Sequence, residues 1–156
     1  MANQLASLEY EVAEIETHLK KWHNNSVESQ RLESIPGIGL ITATALTASI
    51  CNPAQFKSAR HFAAWLGLVP RQNSFGGTER LGGITKMGNR YLRRLLIIGA
   101  TSVIWHSSKH DHRSARWLSK LKETKPHRLV TVAIANKTER IVWALLNNDE
   151  YYKVAA

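Results

Sequence analysis

The residues best suited to do chemistry lie between Gly67 and Leu96. Six of the nine glycines fall between Gly67 and Gly88. Arg71, Arg80, Lys86, Arg90, Arg93 and Arg94 sit in or just after this stretch, against one acid, Glu79. Glycine permits positive φ and lets a ligand come close to the backbone. A cationic, glycine-rich loop that feeds a helix suits a polyanionic backbone. Ser74 stands in the middle of it, followed by Gly76 and Gly77. The chemistry this combination suggests is attack of the Ser74 hydroxyl on a DNA phosphate that the arginines hold. The alternative is a basic loop in which the serine is only a turn residue.

Composition is in keeping with an anionic partner. The chain has 156 residues, enough for one domain with an appended helix, and 44% of them are hydrophobic, enough for a core. Its formal net charge is +9, and the charge is uneven. Residues 1–34 carry six acids and three bases, whereas residues 35–156 carry eighteen bases and six acids. The basic character therefore belongs to the globular part and points to nucleic acid. No run of eighteen apolar residues exists, so no membrane span is expected. The start, Met1-Ala-Asn-Gln, lacks the charged-then-apolar pattern of a signal peptide. The single Cys51 excludes an internal disulfide framework and fits a reducing cytoplasm.

The elements that must position the loop are helical. Residues 4–23 read as a helix in which Leu5, Leu8, Val12, Ile15, Leu19 and Trp22 form a heptad seam. Glu9, Glu11, Glu14 and Glu16 precede Lys20 and Lys21, an order that suits the helix macrodipole. The seam must pack on its own domain or on a second copy of the chain. Residues 23–26 read as a turn. Val27 to Ile35 and Leu40 to Ile50 read as two helices joined by Pro36-Gly37-Ile38-Gly39, which resembles a helix-hairpin-helix element. Exposed N–H groups of Gly37, Ile38 and Gly39, together with the following helix dipole, would bind a phosphate without reading a base. The alternative is an αα-hairpin used only for packing.

Asn52-Pro53 stops the second of these helices. A short amphipathic helix capped by Ser58 then ends at Gly67. Asn89 can cap the next helix, expected to run to about His106. Arg90, Arg93, Arg94 and Ile97 share one face there and are expected to project toward the Ser74 loop. His106, His110 and His112 with Asp111 sit among Ser, Lys and Arg, which is loop chemistry, so no metal site is expected. Residues 113–123 read as a short helix, and Pro126 suits the first position of a last, largely buried helix over 127–147. Asn136-Lys137 and Glu139-Arg140 interrupt its apolar face, either as a polar patch against DNA or as its solvated side. No strand alternation of useful length is present. The chain reads as all-α, with residues 1–26 a coiled-coil dimerisation helix and residues 27–156 a helical DNA-binding domain.

Five motifs agree in order and spacing: Pro36-Gly-Ile-Gly39, Gly67-Leu-Val-Pro-Arg71, Ser74-x-Gly-Gly77, Gly88-Asn-Arg-x-Leu-Arg93 and Ala135-Asn-Lys137. Through them the chain resembles the C-terminal domain of bacterial insertion-sequence transposases of the "IS one-ten" family, and most closely its "one-one-one-one" subgroup. The resemblance covers nearly everything from Leu32 to Tyr151, and the heptad stretch resembles the coiled coil that precedes that domain. It implies a serine nucleophile at Ser74 and phosphate or DNA contacts from Gly37, Ile38, Gly39, Arg71, Gly76, Gly77, Arg80, Lys86, Arg90, Arg93, Arg94 and Lys137. The family motif reads Ser-Ser/Thr-Gly-Gly-Lys, from which Phe75 and Thr78 depart; loss of the lysine removes one phosphate contact.

The family's full transposase carries an N-terminal RNase H-like domain with four acidic metal-binding residues, and a bridge RNA guides target choice. No counterpart of that acidic domain is read in this sequence. The expectation is therefore a fragment, inactive alone, with no cofactor of its own and the divalent metal belonging to the absent domain. The expected partners are DNA, a guide RNA and a second copy of the chain, at the nucleoid of a bacterial cytoplasm. Two other readings compete: a non-catalytic helix-hairpin-helix DNA-binding module, and an oligomerisation module whose function is the coiled coil.

Overall fold

The computed structural model describes residues 2–72, 81–107 and 113–153. Among them are seven α-helices: α1 (Ala2–Asn24), α2 (Val27–Glu33), α3 (Leu40–Ser49), α4 (Ala59–Leu66), α5 (Arg90–His106), α6 (Arg113–Thr124) and α7 (His127–Asn148). The fold is all-α, as expected, with one addition. Pro70–Gln72 (β1) and Leu81–Ile84 (β2) pair antiparallel, with Pro70 opposite Ile84 and Gln72 opposite Leu81. None of the helices among the described residues is long and apolar enough to cross a membrane.

Local signals set most boundaries. The Ser26 hydroxyl accepts from the Ser29 N–H at the start of α2, Ser58 from His61 at the start of α4, and Asn89 from Leu92 at the start of α5. Each satisfies an amide that the first turn leaves open. Gly67 ends α4 at φ 72°, the left-handed conformation that favours glycine. Pro126 sits at the N-cap of α7, one place earlier than the first-turn position expected.

Helix α7 is the axis of the domain and packs against α2, α4, α5 and α6. Leu32, Ile35, Leu46, Phe62, Leu66, Leu68, Leu92, Leu96, Val130 and Val142 are all buried in one core. Phe56, Phe62 and Trp65 meet ring to ring beside it. Helix α1 joins the body only at its end. His23 is buried there and hydrogen-bonds to the Ser29 hydroxyl at 2.7 Å and to Glu33 at 2.8 Å. Residues 3–18 of α1 are exposed, and the seam residues Leu5, Leu8, Val12, Ile15 and Trp22 face solvent.

Candidate nucleic-acid interface

Three residues of the glycine-rich stretch do structural work that the sequence did not assign them. Gly67 at the end of α4 and Gly88 at the start of α5 lie against each other's neighbours. A Cβ on Gly67 would come within 2.0 Å of the Met87 carbonyl oxygen, and one on Gly88 within 1.8 Å of the Trp65 oxygen. Both hold positive φ. Arg93 closes the same junction. Its Nη1 donates to the carbonyl oxygens of Leu66 at 2.9 Å and Met87 at 3.2 Å. It is only 8% exposed. The expectation that Arg93 projects with Arg90 and Arg94 toward the Ser74 loop is thereby corrected: the carbonyls of Leu66 at the end of α4 and of Met87 just before α5 turn it inward.

This junction holds the foot of the β1–β2 hairpin. The Lys86 amide donates to the Gly67 carbonyl, and the Thr85 amide to that of Val69. Asn136 of α7 donates its Nδ2 to the Leu68 carbonyl at 3.2 Å, and Arg71 Nη2 donates to the Thr85 carbonyl. Two helices and a buried arginine thus fix where β1 leaves the core and β2 returns to it. Ser74, Gly76, Gly77 and Arg80 belong to residues 73–80 and lie outside the described residues.

The hairpin forms one wall of an open groove of about 1980 Å³, whose other walls are α4, α5 and α7. Small-molecule pockets occupy roughly 300–1,000 Å³, so the space suits a polymer better. Arg60, Arg71, Lys86, Arg128 and Arg140 line it with His127, and among the described lining residues there is no acid. Gln72 and Leu81, which flank residues 73–80, both line it. Of the residues expected from sequence, Arg71 and Lys86 are in the groove. Arg60 and Arg128 carry no expectation from sequence, and Arg140 only that of a patch on α7 that either meets DNA or is solvated. Arg60 is on α4 and the other two are on α7, where the one sequence signal is the i, i+4 row Arg128, Val132, Asn136 and Arg140.

The remaining sites are distributed around this groove. Arg90 and Arg94 are exposed and share a helical row with Ile97 and Thr101, the α5 residues that line the groove. Exposed Lys137 lies on another side of α7, its Nζ 4.5 Å from the centre of the Trp117 ring. The Pro36–Gly39 turn is not part of the groove. Gly37 packs on Gly99 and Val103 of α5, about 200° around the helix from Ile97 and Thr101. Ile38 is buried in the core, and its amide donates to the Ile35 carbonyl at 3.0 Å. Gly39, at the N-cap of α3, is exposed, and a Cβ there would meet nothing within 4 Å.

Glu139 departs from both readings of the polar residues on α7. It is 0% exposed and fully enclosed. Neither carboxylate oxygen accepts a hydrogen bond, and Arg140 Nε stands 4.0 Å from Oε1. Burial pushes its pKa up to about 8, and the Arg140 charge only partly opposes that. A helix packed on four neighbours has no wholly solvated side to give an acid at this position.

His106 donates its Nδ1 to the Ser102 carbonyl at 2.8 Å, while His110, Asp111 and His112 lie outside the described residues. Among the described residues no group of three or more His, Cys, Asp or Glu could hold a metal ion. The charges that line the groove are those of arginine and lysine side chains.

Residues 29–115 match the model of the "Transposase IS116/IS110/IS902 family". The chain is 43% identical over 153 residues to a "Probable family 20 transposase" of Pseudomonas aeruginosa, covering 98% of this chain and 45% of that protein. It is 39% identical over 153 residues to the transposase for insertion sequence element IS1111A of Coxiella burnetii, covering 98% of this chain and 42% of that one. It is 38% identical over 135 residues to the transposase for insertion sequence element IS1328 of Yersinia enterocolitica, covering 86% and 40%. The chain spans less than half the length of these relatives. With the family model across more than half of its residues, the chain belongs to the IS116/IS110/IS902 family of transposases.

Proposed function

We propose that this chain is the DNA-holding, serine-bearing part of a transposase, and that Ser74 attacks a DNA phosphate presented by the groove. The observation that carries the reading is the set of five groove cations, with no opposing acid among the described lining residues, in the same groove as Gln72 and Leu81, between which the Ser74 segment runs. Ser74 follows Gln72 by two peptide units, a tether of at most about 7 Å. The family resemblance supports the same assignment.

The chemistry is a transesterification. The Ser74 oxygen forms a bond to phosphorus as the bond to the departing sugar oxygen breaks, and the hydroxyl proton leaves to a base. Guanidinium groups offset the charge that grows on the phosphoryl oxygens. The phosphodiester is exchanged rather than hydrolysed, so rejoining needs no ATP. The metal-binding acids implied by the resemblance are not among the described residues of this chain and would come from an acidic domain. A guide RNA would be a second polyanion for the same basic surface, and pairing of two α1 seams would place two such chains together.

The test uses the chain joined to an acidic domain of the family. Ser74→Ala should abolish strand exchange while leaving DNA affinity nearly intact, because arginines dominate the phosphate contacts. Thr78→Ala and Thr85→Ala should retain exchange. If the Ser74→Ala enzyme still joins strands, or a denatured protein–DNA adduct maps to another residue, Ser74 is not the nucleophile.

A further inference from the structure

The groove continues past the five cations. On α5 its lining residues Ile97 and Thr101 are one turn apart, and the next residue of that row is Trp105. The Trp105 side chain is 77% exposed, more than any other exposed large hydrophobic residue among those described. Beside it opens a pocket of about 430 Å³ lined by Ile104, Trp105, Lys122, Lys125, His127 and Val130. His127 lines both the pocket and the groove, so the two spaces adjoin. Among the described residues no acid lines either one.

We propose that this pocket is a stacking subsite for one unpaired nucleotide of a strand that runs along the groove. The base lies on the Trp105 indole, and Lys125 and His127 meet its phosphates. The inference rests on the reading of the groove as a phosphate track. Four features single out this occupant. The volume lies in the range of small-ligand pockets. The lining charges are cationic, which matches a phosphate and disfavours a basic partner or a lipid tail. The aromatic face is presented to solvent rather than packed. The pocket also continues a row of α5 that begins at Arg90 and extends about 22 Å to Trp105. A base inside a duplex has both faces covered by its neighbours, so an open indole discriminates for a base that has left the stack.

The platform is held in place from behind. Lys122 Nζ donates to the Ile104 carbonyl at 3.1 Å and to the Ser107 hydroxyl at 2.7 Å, tying α6 to the end of α5. Lys122 is therefore a positioning residue for the pocket, and Trp105 its contact residue.

The experiment measures binding of the full chain to a labelled oligo-dT strand and to a duplex hairpin of equal charge, by fluorescence anisotropy. Trp105→Ala should weaken oligo-dT binding about ten-fold and leave duplex binding unchanged, since stacking on one aromatic side chain contributes on that scale. Trp105→Phe should keep most of the affinity. The paired substitution Arg71→Ala with Arg140→Ala should weaken both probes. Oligo-U run alongside tells which strand the pocket prefers, and Trp105-dependent binding of either one supports the subsite. Equal oligo-dT affinity for Trp105→Ala and the wild-type chain overturns the subsite while the groove stands. Equal weakening of strand and duplex by Trp105→Ala overturns it as well. If Trp105→Ala acts as expected but the paired groove substitution does nothing, the groove reading fails and with it the strand's path, while the stacking of an unpaired base on Trp105 stands. A wild-type chain that binds neither probe defeats both. The exposed position of Trp105 keeps folding out of the comparison, and an unchanged melting temperature verifies it.

Discussion

Arg93 and Leu66 stand 27 residues apart in sequence and are joined by one hydrogen bond, Nη1 to the carbonyl oxygen, at 2.9 Å. With the second bond to Met87 it ties the end of α4 to the entrance of α5. Arg93→Met keeps much of the aliphatic stem and removes both donors. Charge-assisted bonds to buried partners contribute about 1.5–3 kcal/mol each. With both bonds removed, the substitution should lower stability by about 3 kcal/mol or more, readable as a fall in melting temperature of several degrees. Arg94→Met, on an exposed position, should change stability by less than about 0.5 kcal/mol and reduce DNA affinity. Equal melting temperatures for the two variants would contradict the inward role of Arg93.

Glycine substitutions should divide sharply. Gly67→Ala and Gly88→Ala force a Cβ into backbone carbonyls at positive φ. Each should cost more than about 2 kcal/mol, as strained backbone and a displaced junction combine. Gly39→Ala meets nothing within 4 Å and has φ −103°, so it should be nearly neutral in stability. Denaturant midpoints measure all three. If Gly39→Ala also lowers DNA affinity, the start of α3 touches the nucleic acid; unchanged affinity leaves the Pro36–Gly39 turn as a packing device.

The groove predicts a salt dependence. If four to six phosphates are neutralised, log K should fall against log salt with a slope of roughly −4 to −5. Removing two groove cations by Arg128→Ala and Arg140→Ala should make that slope shallower by about two. A titration in which the double variant keeps the wild-type slope would show that these arginines do not reach phosphate.

Glu139 gives a pH dependence of known sign. Its folded pKa is about 8, against an ordinary value of 4.5. Between those values the folded state holds a proton that the unfolded state has lost, so stability falls as pH rises. The full contribution is present below about pH 4.5 and is gone above about pH 8. A tenfold difference in proton affinity between the folded and unfolded states corresponds to about 1.4 kcal/mol, so the loss across this interval is on the order of a few kcal/mol. Glu139→Gln, neutral and of similar shape, should be more stable than the parent at pH 8 and should flatten the profile from pH 5 to 8. A parent chain with equal stability at both ends of that interval would mean the carboxyl is solvated in the folded protein.

The seam of α1 should pair two chains. Leu5, Leu8, Val12, Ile15 and Trp22 remain in solvent on the single chain, and helices of three heptads are marginal alone. Sedimentation should report a dimer for the parent and a monomer for Val12→Asp. A parent that sediments as a monomer at high micromolar concentration removes the seam as an interface.

Helices and their caps were legible because the signals are local: Ser58, Asn89 and Gly67 act within one turn of where they stand. The β1–β2 pair was not. Pro70-Arg-Gln and Leu81-Gly-Gly-Ile are short and exposed, show no alternation, and are separated by eight residues. Arg93 was misread because its spacing and charge are those of its exposed neighbours, and only the α4 terminus turns it inward. Glu139 was misread because burial on α7 depends on how many helices surround it. The groove itself is tertiary. Arg60, Arg71, Lys86, Arg128 and Arg140 come from separate parts of the chain, and proximity in space is what makes them a set.

The contact between Gly37 and Gly99 has a mechanical consequence for the groove on the far side of α5. A helix held by side chains alone can roll a few degrees as those side chains change rotamer. Here backbone meets backbone, and even a methyl group on Gly99 would come within 2.0 Å of the Gly37 oxygen. Val103, one turn on from Gly99, lies against the same turn, so a roll of α5 disturbs both contacts at once. The close approach thus restrains the azimuth of the helix, and with it the direction in which Ile97, Thr101 and Trp105 face.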